Sequence, residues 1–171
     1  FNSQQISFYR YMNGFIKGAG YPDSAFTSVH NTFSWATDLG SGVMNAYSFY
    51  LYGSPFFWFS LLFPHGWLPY LMVPLLVLKF AVAGGGAYLY LRRYVKNIDY
   101  AVLGACLYTF SGFTVYNVFF NHFVDVVALF PYLLWSLDEA LYNDRRSWFA
   151  FWVAVNLVNN YFFLDRKSTR L

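Results

Sequence analysis

Residues 67–91 read WLPYLMVPLLVLKFAVAGGGAYLYL, with a single charge at Lys79. Crossing about 30 Å of hydrocarbon takes about 20 residues of helix. A continuous apolar run of this length exceeds an ordinary buried strand, so the stretch reads as a transmembrane helix. Three further stretches downstream repeat the pattern. Residues 100–120, YAVLGACLYTFSGFTVYNVFF, carry no charge. Residues 123–142, FVDVVALFPYLLWSLDEALY, are apolar between Asp125 and Asp138. Residues 148–164, WFAFWVAVNLVNNYFFL, are again uncharged. The expected fold is all-α: a fragment of a polytopic helical membrane protein with four transmembrane helices. Gly84, Gly85, Gly86 and Gly104 are small enough to let those helices approach closely.

Composition excludes the rival class. Only 11% of the 171 residues are charged, against about 25% in a soluble domain. So few charges cannot cover a water-facing surface, and the lipid bilayer is the expected partner over most of it. The 16 Tyr and 6 Trp suit the aromatic belts of a membrane protein, and Phe56, Phe57, Trp58 and Phe59 read as such anchors. A net charge of +3 is too small to argue for nucleic acid. One cysteine, Cys106, excludes an intrachain disulfide and a cysteine-based zinc pattern. No phosphate-binding glycine loop is present, and His30, His65 and His122 are too scattered to imply a metal site.

Lys and Arg set the expected orientation. Arg92, Arg93 and Lys96 lie between the first and second helices, and Arg145 and Arg146 between the third and fourth. The turn between the second and third carries only Asn121 and His122. The positive-inside rule then puts the two basic loops in the cytoplasm. Residues 1–66 and the 121–122 turn face outward. Within 1–66, QQISFYRYMNGFIKGAG places Ile6, Tyr9, Met12, Phe15 and Ile16 near one helical face, with Arg10, Asn13 and Lys17 elsewhere. That predicts an amphipathic helix at the interface. SPFFWFSLLFP, 54–64, reads as a short interfacial or re-entrant helix; a spanning helix over 46–63 is the alternative. The chain begins abruptly at Phe1, as if an upstream piece were missing. Residues 165–171, DRKSTRL, resemble translated adapter sequence and read as a non-native tail; a basic cytoplasmic tail is the alternative.

Polar groups at costly depth are the candidate site. Lys79 sits near a helix centre, where a charge costs about 2.5–3.5 kcal/mol on insertion scales. It either holds a lipid-linked phosphate, or snorkels, or pairs with a carboxylate such as Asp125. His122 and Asp125 are three residues apart and share a helix face, with Asn117 and Asn121 close by. This cluster either lines an outward polar cavity or supplies turn and cap chemistry. Asp38, in WATDLGSG, is either a general base or cation ligand, or a turn-capping residue. Asn156, Asn159 and Asn160 read as interhelical hydrogen-bonding groups.

Several segments together resemble the bacterial YfhO family of membrane proteins: FNSQQISFYRYM, TDLGSGVMNAYSFYLYGSPFFWFSLLFP, LKFAVAG, LYLRRYV, YTFSGFTVYNVFFNHFVDVVALFP and VNNYFF. The resemblance covers nearly all of residues 1–164. It implies a much longer protein similar to the GT-C glycosyltransferases, in the cytoplasmic membrane of a Gram-positive-type bacterium. The implied donor is a polyprenyl-phosphate-linked sugar, and the implied acceptor a cell-surface glycopolymer such as lipoteichoic acid. The family pattern puts a catalytic Asp just before the FNSQQ-like segment, and so upstream of Phe1; the fragment alone is then expected to be inactive. The catalytic candidates left in the chain are Asp38, His122 and Asp125. Gln4, Gln5, Lys79 and Asn121 are the substrate-binding candidates. A divalent cation near the phosphate is left open. The rival classes are a transporter or lipid-handling protein, in which Lys79 and Asp125 form a coupled pair, and a scaffold for an envelope complex.

Overall fold

The computed structural model describes residues 5–17 and 51–160. These residues are helical, and no strand occurs among them. The chain divides into two compact units, Phe1–Val73 and Pro74–Leu171. The division falls inside a helix at Pro74, whose ring nitrogen cannot donate to the helical ladder.

The first unit opens with α1, Gln5–Lys17. Its inward face is Gln5, Tyr9, Met12 and Asn13, at helical spacing. Tyr9 and Met12 therefore take the expected side. Asn13, read from the sequence as lying off that face, is fully buried on it. Tyr9 meets the edge of Phe57, with ring centroids 5.4 Å apart. Lys17 Nζ, in the last turn, donates to the Phe63 carbonyl at 2.6 Å. Phe57 belongs to α2, Pro55–Ser60. Ser54 caps it, its Oγ accepting from the Phe57 amide at 3.3 Å, and Pro55 at the first helical position has a φ already suited to a helix. Six residues rise only about 9 Å, far short of a bilayer. The extended backbone of Ser54 (φ −80°, ψ 119°) separates α2 from residues 51–52, so 54–64 stands as a separate short element. A 3-10 turn, His65–Trp67, leads into α3, Leu68–Leu91.

The second unit continues with α4 (Ile98–Thr109), α5 (Gly112–Asn117), α6 (Asn121–Asn143) and α7 (Arg146–Asn159). The stretch 100–120, expected to form one helix, is divided at Phe110–Ser111. Ser111 has left the helical region (φ −59°, ψ 154°), and its Oγ bonds the Thr114 hydroxyl at 3.0 Å and caps α5. A hydroxyl that can satisfy a first-turn group makes the restart cheap even in an apolar run.

Among the described residues two of the four expected stretches, Leu68–Leu91 and Ile98–Asn117, are long and apolar enough to cross a membrane. Only 28% and 22% of their apolar windows are buried, whereas the core helix of a soluble protein would be mostly covered. Val73, Val77, Leu103 and Leu107 all lie on their exposed surface. Side chains of that kind, in contiguous rows, call for an apolar surrounding. At 23 residues α6 is about 34 Å long, but Asp125, Asp138 and Glu139 dilute its hydropathy. The described part of α7 is 14 residues.

Glycine decides how α3 packs. A Cβ on Gly86 would fall 2.6 Å from Tyr132 Cε2. That ring cannot retreat. It stacks on Trp152 of α7 (4.8 Å between centroids, 15° between planes), and its hydroxyl donates to the Val82 carbonyl at 3.2 Å. Gly86→Ala is therefore expected to destabilise the full-length protein by about 1–3 kcal/mol through overpacking. Gly112→Ala, with open space at its Cβ, is the control that leaves thermal unfolding in detergent unchanged.

Candidate functional site

Lys79 projects from the middle of α3 toward the first turns of α6. Its ammonium donates to Asn121 Oδ1 at 2.8 Å and to the Asn121 carbonyl at 3.2 Å, and lies 2.5 Å from Asp125 Oδ1. An ammonium has three N–H donors, and these three oxygens match them. Both charged side chains are within 2% of complete burial. Two ions in such a medium are tolerable only when paired and hydrogen-bonded, so the contact answers the cost of placing Lys79 there. Asn121 and Asp125 meet the same cation because positions four apart share a helix face. The Asn121 amide nitrogen is buried with no hydrogen-bond partner among the described residues.

His122 is buried in the same turn of α6, its ring centroid 4.2 Å from that of Phe123. Asn117, read as part of the same cluster, instead donates from its Nδ2 to the Phe113 carbonyl of its own helix at 2.8 Å. Asn156, Asn159 and Asn160, expected to hydrogen-bond between helices, are buried, but the Asn156 amide bonds back to the Trp152 carbonyl of its own helix. Gln5 is buried in α1 of the first unit. Gln4 and Asp38 lie outside the described residues, as do residues 165–171. No group of three or more metal-ligating side chains occurs among the described residues.

A second polar cluster sits at the opposite end of α3 and α6. Arg93 pairs with Glu139 through Nη2 and Oε1, and its guanidinium lies 5.5 Å from the centre of the Trp135 ring. Arg145 approaches the other Glu139 oxygen at 3.7 Å, and Asn143 Nδ2 donates to it at 3.1 Å. Next to it, Tyr94 donates from its hydroxyl to Asp138 Oδ2 at 2.6 Å. That bond to a carboxylate, helped by one with Tyr90, raises the phenol well above its ordinary range, so Tyr94 stays a donor. Both basic loops thus converge on two neighbouring, largely buried carboxylates of α6. From the sequence alone these arginines mark only orientation. The missed signal was the Asp138-Glu139 step, placed where a helix should be leaving the apolar phase.

On its other side α3 faces α4 across an apolar groove of about 480 Å³, floored by Gly84, Gly85 and Ala105 and closed by the stacked rings of Phe80 and Phe110. Two long apolar stretches of helix with outward-facing side chains, one of them tied to α6 by a fully buried ion pair, fit a helical membrane protein. The family model described as bacterial membrane protein YfhO matches residues 22–163, and the chain belongs to that family. No curated protein and no solved structure matches it.

Proposed function

We propose that this chain belongs to a glycosyltransferase-like protein of the bacterial cytoplasmic membrane. It would move a sugar from a polyprenyl-phosphate donor to an envelope polymer such as lipoteichoic acid on the outer face. In this reading residues 67–91, 100–120, 123–142 and 148–164 span the bilayer, and residues 1–66 face outward with the 121–122 turn. The observation that carries the reading is the Lys79–Asn121–Asp125 contact, a cation and a carboxylate held together next to that turn. A donor phosphate can replace Asp125 at the Lys79 ammonium, since both are anionic oxygen acceptors. Asp125 is thereby released beside the anomeric carbon. A carboxylate, Asp125 or Asp38, takes the proton of the acceptor hydroxyl as its oxygen attacks the anomeric carbon. The bond from that carbon to the phosphate oxygen breaks, and polyprenyl phosphate leaves with the electron pair. Lys79 and Asn121 stabilise the departing phosphate, His122 serves as a proton carrier, and Gln4 and Gln5 bind the sugar or acceptor. A divalent cation at the phosphate would assist in the same way.

The test uses the full-length gene. Deletion is expected to lower the sugar content of the envelope polymer, and restoration with the Asp125→Asn form to leave it low. Unchanged sugar content in the deletion strain overturns the proposal. The charge-neutral buried pair also favours a second reading, a transporter or lipid-handling protein in which Asp125 takes up a proton and releases Lys79. There Asp125→Asn abolishes flux across vesicle membranes while polymer glycosylation persists.

A further inference from the structure

The hairpin between α6 and α7 holds a cavity of about 740 Å³ of mixed character. Leu137, Leu141 and Phe149 form apolar walls, and Asn143, Asp144 and Arg146 line it as well. From this we infer that the α6–α7 hairpin is a binding site for one anionic phospholipid, with the headgroup phosphate on Arg146 and an acyl chain along Leu137, Leu141 and Phe149. Three observations carry it. The first is position: Asn143 closes α6 and Arg146 opens α7, which on the topology of the proposed function puts the cavity where hydrocarbon gives way to headgroups. Exposed Tyr142 and Trp148 flank the same level, as interfacial aromatics do.

The second is charge. Arg146 uses Nε on Asp144 at 2.8 Å, while Nη1 and Nη2 bond no other described residue. The Arg146–Asp144 pair is exposed on both sides, so it is held only weakly and yields to a better acceptor. Four N–H groups remain on Nη1 and Nη2, and a phosphate accepts the parallel pair among them. The third is the chemistry of the walls, since a soluble anion has no use for three large apolar side chains beside its ligand. Arg145 next door is already directed to Glu139, leaving Arg146 as the phosphate ligand.

The test is native mass spectrometry of the full-length protein, released from mixed micelles that contain phosphatidylglycerol and phosphatidylcholine in equal amounts. Wild type is expected to retain one phosphatidylglycerol in preference to phosphatidylcholine. Arg146→Gln is expected to lower that preference about fivefold, one basic residue at a lipid surface being worth about 1 kcal/mol. Asp144→Asn removes the competing carboxylate and still tolerates the left-handed backbone at 144 (φ 53°), so it is expected to raise the preference. The two variants move in opposite directions, which a folding defect does not reproduce. Retention unchanged in both, or an equal loss in an Arg92→Gln/Lys96→Gln control, overturns the site and leaves only diffuse attraction to charged loops.

Discussion

Lys79→Met is expected to destabilise the full-length protein by about 3–5 kcal/mol, because it leaves the Asp125 carboxylate buried without its counter-ion. The loss appears as an early transition in thermal unfolding in detergent. Lys79→Met/Asp125→Leu is expected to recover most of it, since an apolar pair of similar volume needs no desolvation. The double-mutant cycle then reports a coupling energy of the same order as the single loss. A Lys79→Met protein as stable as wild type would mean that the two charges are not held together. The double variant also separates folding from chemistry. It is expected to keep most of the parent's stability with neither the cation nor the carboxylate, so on the proposed function it leaves the envelope polymer unglycosylated.

Glu139→Ala is the second large effect. Glu139 is the shared acceptor for Arg93, Arg145 and Asn143, and its side chain is 7% exposed. Removing it strands a partly buried guanidinium against Trp135. Hydrogen bonds to charged groups are worth about 1.5–3 kcal/mol each, and Arg93, a quarter exposed, regains part of that from water. The expected cost is about 2–3 kcal/mol. Proteolysis should then cut faster within the 92–97 and 144–146 loops. Glu139→Gln keeps the shape and the bond from Asn143 but loses the charge, and should fall between the two.

The longest apolar run is legible because its length exceeds what an ordinary buried strand needs. Residues 67–91 became Leu68–Leu91 almost unchanged. The Lys79–Asp125 contact was among the readings for a similar reason: an isolated charge in hydrocarbon demands an opposite one, and few are on offer. The Ser111 break was not legible, because serine and glycine between apolar residues also fit a continuous helix that packs closely. Asn13 lies on the buried face, where its polarity alone does not place it. Gln5, Tyr9, Met12 and Asn13 fall on one side by geometry, whatever their polarity. Asn117 and Asn121 looked equivalent by spacing, yet one bonds its own helix and the other the cation, since α5 ends between them. The Arg93–Glu139 network was missed because pairing across helices depends on which turns lie side by side.

The pairing of Lys79 with Asp125 also fixes an order of events during synthesis. α3 leaves the ribosome before α6, so Lys79 must enter the membrane while its carboxylate has yet to be made. Insertion has to be carried by the apolar residues of α3 on either side of Lys79, which together offset one charge. Asp125 then arrives on a helix that is itself poorly apolar, and a waiting cation draws it in. α3 anchors itself, and α6 is recruited by it.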